Sequence, residues 1–163
     1  MHTISRNWWH DFYYLEEKYL NSVISYLSKE NTSQIGLYKV TRVYDGDTIA
    51  VDMLGNIEKV RLIGVDTPET HGPDSSVQCY GPEASSYTES RLLNSKVRLE
   101  SDPNNQNRDR YNRLLRYIYL EDGTLWNLKL IEQGYGFAYL RYAFTKLDLF
   151  RKSEEITLSL IHI

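Results

Sequence analysis

Two short stretches of this chain concentrate side chains that could do chemistry together. Asp45-Gly46-Asp47 is followed closely by Arg61-Leu62-Ile63-Gly64-Val65-Asp66-Thr67-Pro68-Glu69. If adjacent strand ends bring them together, the carboxylates of Asp45, Asp47, Asp66 and Glu69 and the guanidinium of Arg61 share one site. Carboxylates at that density repel one another. The repulsion is relieved by a hard cation held through oxygens, typically Ca²⁺ or Mg²⁺, or by arginines. A cation beside a fixed guanidinium suits a phosphate, so the chemistry indicated is metal-assisted phosphodiester hydrolysis. His2, His10, His71 and His162 show no metal-ligand spacing among themselves or with Cys79, so zinc is not expected.

Each piece has a plainer reading on its own. Asp-Gly is a common hairpin turn pair, and a lone Arg113 would be a solvated strand-edge side chain. Arg61, in a strand apolar on both faces, must be either an ion-pair partner or an anion ligand, because an unpaired buried guanidinium is costly. Pro68 holds Thr67 extended and cannot continue a ladder, so the stretch from Arg61 reads as one strand that stops and turns Glu69 away from the sheet.

The elements that must position these groups are legible from periodicity. Leu37 to Tyr44 and Thr48 to Met53 are β-rich runs joined at Asp45-Gly46-Asp47, and the turn Leu54-Gly55-Asn56 leads to a strand from Glu58 to Val65. Pro82 opens a helix that reaches about Asn94. Lys96 to Glu100 and Leu114 to Leu120 read as two more strands, around a polar loop from Ser101 to Asn112. A second helix spans Leu125 to Gln133 and is terminated by Gly134. A last helical segment spans Lys146 to Glu155. The fold class expected is α+β, mainly β: a five-stranded oligonucleotide-binding (OB) barrel with two to three packed helices.

Residues 1–34 read as an amphipathic helical extension, with Trp8, Phe12, Leu15, Tyr19, Val23 and Tyr26 on one face. Packing on the main body is the plain role for that helix; recruiting a partner through Trp8, Trp9 and Phe12 is the sharper one. Residues 35–157 form the main domain. Residues 158–163 match one reading frame of a transposon-end sequencing adapter, and read as a non-native tail on a shortened gene.

Composition bounds the rest. The net charge of −3 argues against an indiscriminate nucleic-acid coat, so any such contact must be local, and Arg108, Arg110, Arg113 and Arg116 are the obvious cluster. Fourteen tyrosines against 4 phenylalanines favour sheet and amphipathic binding surfaces. A lone cysteine excludes an internal disulfide. No membrane partner is expected, and neither a signal peptide nor a spanning segment is evident; the cytoplasm is the default compartment, with secretion left open.

From about Leu37 to Tyr142 the chain resembles the staphylococcal nuclease-like (thermonuclease) family. The resemblance is carried by Asp45-Gly46-Asp47-Thr48, Arg61 through Thr70, Tyr80-Gly81-Pro82-Glu83-Ala84-Ser85, Asp109-Arg110-Tyr111-Asn112-Arg113, Tyr117-Ile118-Tyr119 and Leu130-Ile131-Glu132-Gln133-Gly134-Tyr135. It implies that Asp47 and Asp66 ligate Ca²⁺ with the Thr67 carbonyl, and that Asp45 stands behind them. Glu69 would orient or deprotonate the attacking water. Arg61 and Arg113 would hold the phosphate, while Tyr111 and Tyr142 contact a phosphate or the 3′ side of the nucleotide. The implied activity is a Ca²⁺-dependent nuclease, expected to be monomeric, that cuts the 5′ P–O bond of DNA to leave 3′-phosphates, with RNA a second candidate substrate. The competing reading is a non-catalytic binding module, since barrels of this kind also act as nucleic-acid or protein scaffolds.

Two features depart from the family pattern. Asn112 stands where glycine is common, which asparagine tolerates if the position needs a positive φ. The loop Gly72-Pro73-Asp74-Ser75-Ser76 lacks the family's lysines, so weaker substrate attraction and a flatter salt dependence are expected.

Overall fold

The computed structural model describes residues 36–70 and 78–161. The expected N-terminal helix and the 72–76 loop lie outside the described residues. Chain contacts define one unit over Leu37–Ile163. Its strands are β1 (Leu37–Asp45), β2 (Thr48–Met53), β3 (Asn56–Leu62), β4 (Val65–Asp66), β5 (Lys96–Glu100), β6 (Leu114–Tyr119) and β7 (Phe137–Ala138). The helices are α1 (Gly81–Leu92), α2 (Trp126–Glu132) and α3 (Leu147–Ile161).

Five strands close into a barrel in the order β1-β2-β3-β6-β5, with β5 returning to β1. The pairings are antiparallel except for β3 against β6. This is the expected five-stranded barrel, with three helices; the parallel β3–β6 pairing that makes it mixed comes from the structure. Its interior is filled by alternate strand residues, among them Val40, Ile49, Val51, Val60, Leu62, Val97 and Ile118, all nearly or fully buried. Trp126 and Tyr87 stack at 5.3 Å, and Tyr135 continues the column at 4.2 Å, fastening α2 to α1. None of the described helices is long and apolar enough to cross a membrane.

The strand expected from Glu58 to Val65 is in fact two. β3 ends at Leu62 and β4 begins at Val65, because Gly64 adopts φ +76° and turns the chain. A Cβ at Gly64 would meet the Phe144 ring at 2.7 Å and the Phe150 ring of α3 at 3.0 Å, so this close packing and the left-handed backbone together require glycine there. The two halves then do different things: β3 stays in the barrel, whereas β4 pairs with β7, a strand not anticipated from sequence. Buried Asn127 on α2 secures the break by donating to the carbonyls of Ile63 (2.9 Å) and Arg116 (3.2 Å). Its Oδ1 accepts from the Ile118 amide at 2.8 Å.

The final helix runs to Ile161, beyond the expected end at Glu155, and takes in part of the segment read as a tail. Phe150 anchors its first turns against Tyr117 and Phe144.

Candidate active site

The turn between β1 and β2 delivers Asp47 into the protein. The Gly46 carbonyl accepts a 2.9 Å hydrogen bond from Thr88 Oγ1 on α1, and the Asp47 carbonyl accepts from the Leu62 amide at 2.9 Å. Glycine at 46 serves close approach, since a Cβ there would lie 2.8 Å from the Thr67 side chain. The turn and the start of the β4 exit are thereby pressed together. Asp47 is 1% exposed. Its Oδ1 accepts from Thr48 Oγ1 at 3.0 Å; its Oδ2 accepts from the Thr67 amide at 2.8 Å and pairs with Arg61 Nη2 at 3.0 Å.

Arg61 spans the strand break. Nη1 donates to the carbonyls of Leu62 (3.2 Å) and Val65 (2.8 Å), and Nη2 also donates to Asp66 Oδ1 at 2.6 Å. Of the two roles open to it, the structure displays the ion-pair one: the guanidinium bridges Asp47 and Asp66 while still lining the cleft.

One guanidinium does not neutralise this cluster. The Asp45 carboxyl is pushed up to about 7 by burial, then by the neighbouring Asp47 and, further off, Glu69, against a lowering hydrogen bond from Thr48. Asp66 is raised by burial and by the Asp47 charge, against Arg61 and Arg141. Glu69 is raised by burial, Asp47 and Asp66, against Arg61 and Arg113. The four carboxylates named from sequence therefore feel one another across the turn and the strand end.

Beside this cluster opens a cleft of about 1040 Å³. Arg61, Asp66, Glu69, Tyr111, Arg113 and Tyr142 all line it, whereas Asp45, Asp47 and Thr67 lie behind its surface. Arg113 is aimed by Asp109, whose Oδ2 accepts from Nε at 2.7 Å and whose Oδ1 accepts from the Arg113 amide at 2.9 Å. The two terminal nitrogens of Arg113 make no hydrogen bond among the described residues. The Tyr111 ring lies 5.2 Å from this guanidinium. Asn112 adopts φ +63°, as its place in the turn demands. Tyr111 and Tyr142 are 63% and 65% exposed, so both rings stand out from the cleft walls.

The arginine cluster divides. Arg108 forms a two-pronged pair with Glu58 at 2.8 and 2.9 Å, and Arg116 bonds Asn107 Oδ1 at 2.7 Å. Those two hold the loop, Arg108 from the cleft wall and Arg116 away from it; Arg110 and Arg113 line the cleft without a carboxylate among the described residues taking their terminal nitrogens. Sequence reasoning missed Arg141, an exposed cleft residue whose charge acts on Asp66, and Tyr139 beside it. The repeated Arg-Tyr pair, Arg110-Tyr111 and Arg141-Tyr142, was the available signal. Asn127 and Thr88, which position the site without lining it, carried no signal.

Among the described residues, no group of three or more His, Cys, Asp or Glu side chains is arranged to hold a metal ion. The expected donor set is smaller, two carboxylates and the Thr67 carbonyl, all hard oxygens of the kind Ca²⁺ takes with water completing its shell. Thr67 Oγ1, buried with no hydrogen-bond partner among the described residues, adds an unsatisfied oxygen at the same place. These residues fit a hard cation better than a soft one.

A family model described as staphylococcal nuclease homologue matches residues 59–157. The match begins after the turn that carries Asp45 and Asp47. The Thermonuclease of Staphylococcus hyicus is 53% identical over 97 residues, covering 60% of this chain and 56% of that protein. The Thermonuclease of Staphylococcus intermedius is 50% identical over 97 residues, with the same shares. The Endonuclease YncB of Bacillus subtilis (strain 168) is 38% identical over 128 residues, covering 77% of this chain and 60% of its own. The chain thus spans a little over half the length of the relatives it matches.

Proposed function

Since the chain belongs to the staphylococcal nuclease family, we propose that it hydrolyses phosphodiester bonds of nucleic acid at the Arg61–Glu69–Arg113 cleft. One observation carries the reading: a single cleft brings together the guanidiniums of Arg61 and Arg113, the carboxylates of Asp66 and Glu69 and the exposed ring of Tyr111. The relatives named as nucleases support it.

In this reading the phosphate enters between Arg61 and Arg113. Hydrolysis places additional negative charge on the phosphoryl oxygens in the transition state, so donors fixed in advance stabilise it more than the ground state. Asp109 fixes Arg113 in that manner, leaving its two terminal nitrogens for the phosphate. Arg61 is held by Asp47 and Asp66. Glu69, on the same wall, orients the attacking water and takes its proton. Tyr111 and Tyr142 flank the nucleotide on the 3′ side. Asp47, Asp66 and the Thr67 carbonyl would hold Ca²⁺ with Asp45 behind, and a bound ion would supply charge neutralisation at the phosphate. Cleavage of the 5′ P–O bond, leaving 3′-phosphates, is the family-based part of the proposal.

The test is to incubate purified protein with single- and double-stranded DNA and RNA, in Ca²⁺ or in chelator, and to analyse the ends formed. Calcium-dependent fragments bearing 3′-phosphates are expected. Binding without cutting would instead establish the scaffold reading.

A further inference from the structure

Next to the cleft, the outer face of the barrel carries a second cationic row. Arg42 on β1 pairs in register with Ala50 on β2, which pairs with Lys59 on β3. The adjoining row in the same register is Asp45, Thr48 and Arg61, which reaches the active cluster. Lys59 and Arg61, two residues apart on one strand, project from the same face about 7 Å apart.

Tyr44 lies at an irregularity of β1, where the register shifts between Val43 and Asp45. Such bulges re-aim side chains. Its ring receives both cations, Lys59 Nζ at 4.0 Å from the centroid and Arg42 at 4.8 Å. Both basic side chains are exposed, and among the described residues neither meets a carboxylate. The acidic neighbour on β3, Glu58, is taken by Arg108. Two like charges drawn to one ring with no counter-ion make a site for an anion, and the aromatic between them suits a nucleotide. In a chain with a net charge of −3, this concentration is local rather than general.

We propose that Arg42, Tyr44 and Lys59 form a second contact for the nucleic-acid strand, receiving phosphates next to those held in the cleft. The proposal rests on the nucleic-acid reading above, and its test separates the two. The variant Arg42→Gln/Lys59→Gln changes only exposed side chains. Two measurements are made with it and with the unaltered protein: binding of a fluorescent single-stranded 20-mer in chelator over a salt series, and the ratio of kcat/KM for that 20-mer to kcat/KM for a dinucleotide.

The expected result is a roughly tenfold rise in Kd and a binding slope, log K against log salt, shallower by about 1.4, the value for two phosphate contacts on a single strand. The kcat/KM ratio should fall by a similar factor. Equal affinity and slope in the two proteins would overturn the proposal, as would a 20-mer that fails to bind the unaltered protein. Polyglutamate displacing the 20-mer at equal charge concentration would also overturn it, by showing a surface for acidic protein. If the unaltered protein binds but does not cut, the catalytic reading fails while the binding arm still decides this one.

Discussion

Replacing Asp102 with asparagine should both weaken the fold and loosen the cleft, and its effect should depend on pH in a defined direction. Asp102 is 3% exposed. Its Oδ2 accepts from Tyr117 Oη (2.6 Å), the Thr145 amide (2.7 Å) and Thr145 Oγ1 (2.6 Å), while Oδ1 accepts from the Asn104 amide at 2.7 Å. Burial alone would raise this carboxyl, but the donors from Thr145, Tyr117 and Asn104 outweigh it and bring it to about 2, from an ordinary 3.8. A folded-state value below the unfolded one means that the ionised form stabilises the fold, by about 2 kcal/mol for a shift of this size. That stabilisation is fully present well above the unfolded value near 4 and is lost as pH falls through about 2. Asparagine removes the charge and sets an NH₂ against donors, so the total cost near pH 7 should be roughly 3–4 kcal/mol. Urea unfolding of both proteins from pH 7 to pH 2.5 checks this. The stability gap should be widest at pH 7, hold to about pH 5, and narrow below pH 4. A gap that stays constant with pH, or is below about 0.5 kcal/mol at pH 7, would refute the reasoning. The same tether joins the loop bearing Tyr111 to the segment bearing Tyr142, so KM for an oligonucleotide should rise in the variant more than kcat falls.

Gly64→Ala should destabilise by roughly 2–4 kcal/mol, combining a left-handed backbone with overpacking against Phe144; a thermal midpoint equal to the parent's would contradict the account of the strand break. Arg61→Ala and Arg113→Ala should each lower kcat roughly 10²–10³-fold, and near-parental turnover by either would remove that residue from the proposed site. Of the two, Arg61→Ala should also lower the urea midpoint, because it leaves buried Asp47 without its cation; equal midpoints for both variants would argue against the bridging role.

Local chemistry wrote much of this protein into its sequence. Alternation gave the barrel strands, Pro82 and Gly134 marked helix ends, and the acidic turn and Arg61–Glu69 marked a candidate site, because each depends on neighbours a few residues away. Asn112 takes the positive φ that asparagine in place of the family's glycine left permitted. Tertiary structure alone decided what depends on distant partners. Nothing near Gly64 in the chain shows that Phe144 will occupy the space a Cβ needs, so the split of one apparent strand into β3 and β4 was hidden. Nor could the run of arginines reveal that Glu58 captures Arg108 while Asp109 aims Arg113, since a guanidinium's role is set by whichever carboxylate the fold brings to it. Arg61 shows the same limit: its type and spacing identified an ion pair or an anion ligand, and only the convergence of Asp47 with Asp66 across the break made it a bridge between them.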